Sequence, residues 1–516
     1  MLAVLIARLS GVADEMGAVL RRGAFSPNIK ERADCSAALF TADGTLLVQA
    51  EHIPVHLGSM PASVAAAIAA FGDSIGPGEQ VILNDPFAGG THLNDITLVA
   101  PVFVDGRLIG WVANRAHHAD LGGAAPGSMP ADAVDIHQEG LRIPPVRYTP
   151  EVKALVLASS RTPEERSGDL DAQEGANRLG VERFATLSSE PLDEVIAWGE
   201  RRMRAALEAV PDGSWSFTDV LDSFGPAPHQ QQPTTIRLTV TVAGDEVTFD
   251  FAGTDPQRAG NVNAVEAVTV SAVAWALRST LDPTIPANGG ALRAVTVRAP
   301  AGSVVAALPP AAVAAGNVEV SQRVADVCLG ALAQALPQRV PAASQGTMNN
   351  VLIGGDGWVY YETVAGGQGG RPPAPSGGAP VPGQSGIHTC MTNTRNTPVE
   401  AFERAFPVRV LRYRLRRGSG GAGLAAGGEG IERDLLLLED ATVSLITERR
   451  VSQPWGLAGG EPGAVGENWL LPGGDEVRAE RLPDKCTVHL VAGDVLRVAT
   501  PGGGGWGGMS GPPLRS

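Results

Sequence analysis

The sequence predicts an α+β fold: a large, hairpin-rich mixed α/β chain without regular βαβ alternation. Three observations predict it. Pairs of short apolar runs repeatedly flank Asp/Gly turns. Helical stretches are interspersed among them rather than following every strand. Gly and Pro supply 64 and 39 of the 516 residues, about a fifth of the chain against about 12% on average. That excess stays below the roughly 25–30% of low-complexity chains. With 44% hydrophobic residues, a sizeable core is expected.

The elements follow in order. Residues 2–22 read as an amphipathic helix, with Leu5, Leu9, Val12, Met16, Val19 and Leu20 at three- and four-residue steps. Arg21 and Arg22 suit its C-terminal end, and Gly23 is a stop. Asp43-Gly44 joins runs 37–40 and 45–49 as a hairpin, and Asp105-Gly106 joins 102–104 to 108–113. Gly244-Asp245 lies between 240–243 and 246–251, and a Gly-Asp-Gly turn lies between 351–353 and 358–361. Residues 435–438 and 442–447 read as a further pair. Helices are expected over 61–71, 192–209, 268–278 and 320–335. Residues 371–386 and 418–430 are glycine-rich loops, and repeated hairpins account for much of the other glycine.

Forty basic against 55 acidic residues give a net charge of −15, which disfavours nucleic acid or an anionic membrane as partner. Only Lys30, Lys153 and Lys485 are lysines, and none follows a glycine loop as a phosphate-binding P-loop requires. Four scattered cysteines (Cys35, Cys328, Cys390, Cys486) form no CxxC pair, so a reduced, cytoplasmic setting is expected. The N-terminus lacks a basic region before its apolar run, which argues against a signal peptide. The apolar stretch 268–277 is too short to span a bilayer.

Chemistry concentrates between residues 52 and 137, where six of the nine histidines lie. In the first context an apolar strand ends at Asn84-Asp85, Pro86 and Gly89-Gly90 turn the chain, and His92 and Asp95 follow three residues apart. In the second, a hairpin strand through Asn114 delivers His117, His118 and Asp120 to its end. Imidazole with carboxylate suits Zn, Mn or Fe, and a catalytic centre needs three or four protein ligands and an open position. His92, Asp95 and His117 supply such a set, with Asp34 as a further carboxylate. Spacing by itself leaves the alternative, satisfied polar groups at strand ends, open and somewhat favoured. His52 and His56 bracket Pro54 and either line the same pocket or pack. Ser36 and Cys35 read as buried small residues. The run 501–508 reads either as an anion cradle or as a close-packed backbone turn.

Several motifs resemble the hydantoinase B/oxoprolinase family. They include Ser26-Pro-Asn-Ile-Lys-Glu-Arg-Ala-Asp34, Pro54-Val-His-Leu-Gly-Ser-Met60, Asn84 to Asp95, and Ala116-His-His-Ala-Asp120. Gln138 to Pro144, Gly316-Asn-Val-Glu319, Gly346 to Asn350, Tyr361-Glu-Thr363 and Thr392-Asn-Thr394 follow in consistent order. The resemblance implies the metal-bearing subunit of an ATP-dependent cyclic amidohydrolase acting on hydantoins, 5-oxoproline or related lactams. It implies a hydantoinase A-type partner that binds ATP-Mg and phosphorylates the substrate oxygen, the two forming a hetero-oligomer.

On this chain the resemblance implies Asp34, His92, Asp95 and His117 as ligands of a divalent metal. Glu139 and His118 are implied to move protons, Asp120 to orient ligands, and His56, Asp85 and Asn114 to face substrate. An activated ring would then be opened by metal-activated water. An ATP-dependent ketone carboxylase component and a non-catalytic assembly component are the alternatives. The glycine loop departs from the family pattern at Gly418 and Ala426, where many members carry Asp and Arg. We expect three parts: an N-terminal metal-site domain over 1–210, an α/β middle domain over 211–345, and a β-rich, glycine-rich C-terminal domain over 346–516.

Overall fold

In the computed structural model, residues 2–50, 53–374 and 377–508 are described; His52 lies outside them. The first sheet is wholly antiparallel and runs Leu46–Ala50, Cys35–Thr41, Arg107–His117, Asp95–Val104, Val81–Leu83, Val146–Arg147. Side chains alternate across a strand. Ala37 and Leu39 therefore pack with Leu9, Ala13 and Met16 of helix Leu2–Gly23, while Ala38 and Phe40 pack with Met60 and Val64 of helix Met60–Phe71. Because both faces are covered, Cys35 to Phe40 are all buried. The helix expected over 61–71 is preceded by a short 3-10 turn at Pro54–His56. Together they form a stretch, Pro54–Phe71, apolar and long enough to cross a membrane by composition; half of it is buried in the fold.

The second sheet pairs Gly213–Leu221, Thr234–Ala243 and Glu246–Asp250 antiparallel and adds Val295–Arg298 parallel. Helices Glu266–Leu281 and Ser321–Ala335 pack in the largest hydrophobic cluster with this sheet. That cluster also takes in Ile53, Val55, Leu93, Met129, Tyr361 and Ile446, so residues far apart in sequence meet in one core. The third sheet orders Trp358–Thr363, Asn350–Gly355, Ala441–Ile446 and Lys485–Leu490; the fourth orders Val408–Arg416, Gly430–Leu437, Val495–Ala499, Glu467–Leu471 and Glu480–Leu482. They share a core of Val351, Ile353, Val443 and Leu445 against Ile431, Leu435, Leu496 and Val498.

The four hairpins with Asp/Gly turns form as expected. The expected pair 435–438 and 442–447 does not: both are strands, but Gly430–Leu437 joins the fourth sheet and Ala441–Ile446 the third. The short connection passes from one layer of a sandwich to the other.

The glycine-rich stretches decide between the two readings of 501–508, in favour of close backbone packing. Residues 501–507 are surrounded by other extended segments. Gly502 donates to Ala464 O at 3.2 Å, Gly503 to Gly428 O at 2.9 Å, Gly504 to Ala343 O at 2.8 Å and Gly505 to Glu461 O at 2.8 Å. Thus Gly502 and Gly505, three apart, reach the same neighbour. Pro501 O and Gly504 O likewise accept from Gly367 N and Gly370 N of one segment. A pleated strand bonds to two neighbours in one plane. A three-residue repeat with bonds radiating in several directions is the polyproline II geometry.

Cβ atoms at Gly503, Gly504 and Gly427 would stand well inside van der Waals contact distance of the carbonyl oxygens of Gln368, Trp455 and Gly503. Glycine is required here by close backbone approach rather than by turning. The N–H groups of Gly502 to Gly505 are all bonded to carbonyls, which excludes an anion cradle.

Gly504→Ala should therefore destabilise the protein by several-fold more than the roughly 1 kcal/mol of an ordinary Gly/Ala difference. Gly11→Ala, in an open position of the first helix, should stabilise by about 0.5–1 kcal/mol. Denaturant melts of both variants check this; equal small effects would contradict the packing account.

Candidate metal centre

The site is built by register. Asp95 opens strand Asp95–Val104 and lies opposite His117, the last residue of strand Arg107–His117. On the other flank Cys35 pairs with Ala116, so Asp34 adjoins His117, whose N–H donates to Asp34 O at 3.1 Å. The turn carrying His92 is tied to this strand end by Asn94, whose amide donates to His118 O and Gly127 O, both at 3.0 Å. Three separate segments thus end at one point.

Asp95 divides its two oxygens. Oδ2 accepts from Thr91 Oγ1 at 2.8 Å and faces His56 Nε2 at 3.3 Å; the other ring nitrogen of His56 meets Ser36 Oγ at 2.9 Å. Oδ1 faces His92 Nε2 at 3.2 Å and His117 Nδ1 at 3.4 Å. His92, Asp95 and His117 each place a donor atom within 4.8 Å of the others, and all three are buried. His92 Nδ1 and His117 Nε2 have no hydrogen-bond partner. They are not the ring nitrogens that face Asp95; those are His92 Nε2 and His117 Nδ1, and two imidazole nitrogens converging with a carboxylate oxygen in this way are a donor set that suits a borderline divalent cation.

The electrostatics agree. Burial pushes the His117 imidazole down to about 3 and also lowers His56, keeping both rings neutral with lone pairs available. Burial pushes Asp95 up, but His92, then His117 and His56, outweigh it and hold the carboxylate well below its ordinary value. Burial raises Asp34 to about 7, with Arg32, whose Nη2 stands 4.0 Å from Asp34 Oδ2, pulling the other way.

The His117 ring stacks on Tyr361 at 4.6 Å. Tyr361 donates to Asn350 Oδ1 at 2.9 Å, and the Asn350 amide donates to Glu319 Oε1 at 2.7 Å. Asn317 Nδ2 stands 3.3 Å from His92 Nε2. A cavity of about 20 Å³ touches Asp34, His56, Asp95, His117, Asn317 and Tyr361, room for about one water.

Of the residues expected in the site, His92, Asp95, His117, His56 and Asp34 come together, with Asp34 outside the three-atom donor set. The others do not join them. His118 follows His117 and so points to the opposite face, where it meets Gln173 Oε1 at 2.9 Å. Asn114 bonds Asn177 and the Gln173 backbone in the same buried amide network.

Asp120 accepts from Arg161 and from the backbone of Gly127. Asp85 caps the turn at Phe87 and pairs with Arg142. Glu139 accepts from Val313 N and Ala314 N, the stretch that leads into Asn317. Ser36, Thr91, Asn317 and Tyr361 join the site without any sequence pattern of their own that marks a ligand or its support. For Thr91, Asn317 and Tyr361 the one signal is that each lies in a motif shared with the family.

Fold and site together define a large α+β chain with a preformed two-histidine, one-carboxylate donor set. The chain belongs to the hydantoinase B/oxoprolinase family, which it matches over residues 1–509. It is 39% identical to 5-oxoprolinase 1 of Arabidopsis thaliana over 97% of this chain and 41% of that protein, so it spans about two fifths of that relative. It is 31% identical to the B-type subunit of a putative D-/L-hydantoinase from a Pseudomonas species, over 98% of this chain and 89% of that one. The ATP-dependent caprolactamase of Pseudomonas jessenii superposes with a TM-score of 0.89 at 28% identity, covering 99% of this chain and 92% of that chain.

Glu139 yields a pH prediction. Burial, against its two backbone donors, raises its carboxyl from 4.5 to about 8. The folded state therefore holds this proton more tightly than the unfolded chain. The stability tied to it is full below about pH 4.5 and is lost as pH rises to about 8. Glu139→Gln keeps an acceptor for both N–H groups and should gain on the wild type across that window, by at most about 5 kcal/mol at about 1.4 kcal/mol per pH unit. Melts from pH 5 to 8 measure it; parallel curves would contradict it.

Proposed function

We propose that this chain is the metal-bearing subunit of an ATP-dependent cyclic amidohydrolase, opening the ring of a hydantoin, 5-oxoproline or related lactam. The observation that carries the reading is the convergence of the buried His92, Asp95 and His117 donor atoms, all within 4.8 Å of one another, beside a small cavity lined by Asp95 and His117. Family membership supports it, as do the relatives: a 5-oxoprolinase, the B-type subunit of a hydantoinase and an ATP-dependent caprolactamase. The naming of the second as one subunit and the partial coverage of the first support a separate, hydantoinase A-type partner that binds ATP-Mg and activates the amide.

The residues that would hold the ion are His92, Asp95 and His117. A divalent ion bound there supplies Lewis acidity and brings the pKa of water toward about 7. The chain's own groups do the rest. Thr91 and His56 hold Asp95 Oδ2, which turns Oδ1 toward the two imidazoles. Tyr361 stacks on His117 and limits its rotation.

Asp34 lines the cavity beside Asp95 and His117, so its carboxylate is placed to accept the proton of the attacking water and return it to the ring nitrogen as the C–N bond breaks, the activating phosphoryl group leaving as phosphate. The apolar side chains of Ile53, Val55, Val318, Met348 and Met391 keep bulk water from this centre.

His92→Ala and His117→Ala should each lower metal occupancy at least about tenfold, the usual scale for a lost ligand or its support. Both should abolish ring opening while leaving association with the partner intact. His118→Gln, altered on the far face, should keep its metal. Metal analysis of the purified proteins decides: full occupancy and activity in the alanine variants would refute the centre.

A further inference from the structure

Beside the inner cavity lies a second, of about 170 Å³, whose lining includes Pro54, Trp275, Ser279 and Asn393. The two share walls by alternation. Ile53 and Val55 line the inner cavity while Pro54 lines the outer one; Thr392 and Thr394 line the inner while Asn393 lines the outer. Each stretch is one chain thick between the two spaces. The inner cavity has room for about one water, and any cyclic amide is several times larger. A substrate reaching Asp34 and His117 must therefore displace part of this wall.

We propose that the outer cavity is the mouth of the reaction site and that residues 392–394 are its door. This rests on the reading of the inner cavity as the metal centre. The two walls differ in how they are held. Residues 53–57 carry turn bonds, His56 N to Ile53 O and Leu57 N to Pro54 O, and present His56 to Asp95. Opening there would dismantle the centre.

Residues 392–394 carry one turn bond, Thr392 N to Thr389 O at 3.3 Å, and one latch to the floor of the site, Thr394 Oγ1 to Thr363 Oγ1 at 2.9 Å; Thr392 Oγ1, 3.2 Å from Thr394 Oγ1, braces the segment internally. Thr363 is itself held by Arg32 Nη2 at 3.2 Å. Neither bond holds His92, Asp95 or His117, whereas the other wall carries His56 against Asp95, so the 392–394 side gives way and merges the two cavities around the cyclic amide.

The test uses the full chain loaded with Mn²⁺ alone and follows release into excess EDTA by the electron paramagnetic resonance of the metal, which needs no substrate. Asn393→Trp fills the mouth and should slow release by about tenfold or more, as a blocked gating step does. Thr394→Val keeps the shape, removes the latch hydroxyl and should speed release by about fivefold, the effect of one neutral hydrogen bond. Equilibrium Mn²⁺ affinity should stay within about twofold of wild type in both, which separates gating from misfolding. Unchanged release rates in two folded, metal-replete variants would overturn the door and leave the centre standing. A wild-type chain that takes up no Mn²⁺, Zn²⁺ or Fe²⁺ would overturn the centre, and the door with it.

Discussion

The register of one antiparallel pair governs the site. Asp95 lies opposite His117 because strands Asp95–Val104 and Arg107–His117 pair across the tight Asp105-Gly106 turn, with one irregularity near that turn. A slip of one residue would send His117 to the face now occupied by His118 and replace the proposed ligand set with a structural amide contact. Burial on both faces of the sheet makes such a slip expensive. Helix Leu2–Gly23 and helix Met60–Phe71 each demand their own set of alternating apolar residues. The centre thus inherits its geometry from packing that contains no catalytic residue.

Around that register the rest of the chain supplies restraint. Glu139 fastens residues 313–314, and a short π-helical turn at Gly316–Val320 then brings Asn317 to His92. Strand Trp358–Thr363 brings Tyr361 against His117. A buried ionic network ties the second sheet to the third and to helix Ser321–Ala335: Asp219 bonds Arg323 and Arg449, Arg449 also bonds Asp326, and Lys485 bonds Glu448. Such pairs add little net stability but penalise misalignment, since a separated partner would be left buried and charged. They act as a device for alignment.

Much of this is legible in the sequence where a local rule operates. Asp-Gly turns between apolar runs mark hairpins, and three- and four-residue apolar steps mark the first helix. Where burial is polar, the rule fails. Helix Pro163–Ala185 escapes it because its inner face carries Arg166, Asp169, Gln173 and Asn177, so no apolar period exists to find. The strands after residue 430 look like partners because sequence neighbours usually pair, whereas here they belong to two facing sheets. His118 looks equivalent to His117 because spacing alone does not say where a strand ends. Ser36, Asn317 and Tyr361 come from segments hundreds of residues apart at the extremes, and no local pattern links them. The donor atoms of His92, Asp95 and His117 are traceable because all three lie at the ends of one hairpin and its preceding turn.

The glycine bundle around residues 501–507 has a thermodynamic consequence. Apart from Trp506, which packs with Ala342 and Ala425, its neighbours touch through peptide groups, so residues 501–505 hide mainly polar backbone. Exposing polar surface lowers the heat capacity, whereas exposing apolar surface raises it. This region therefore subtracts from the curvature of the stability curve that the apolar cores impose. Hydrophobic attraction weakens on cooling, and the hydrogen-bonded bundle does not share that weakness. Residues 501–505 are thus held by a force whose temperature dependence differs from that of the apolar core of the sheets beside them.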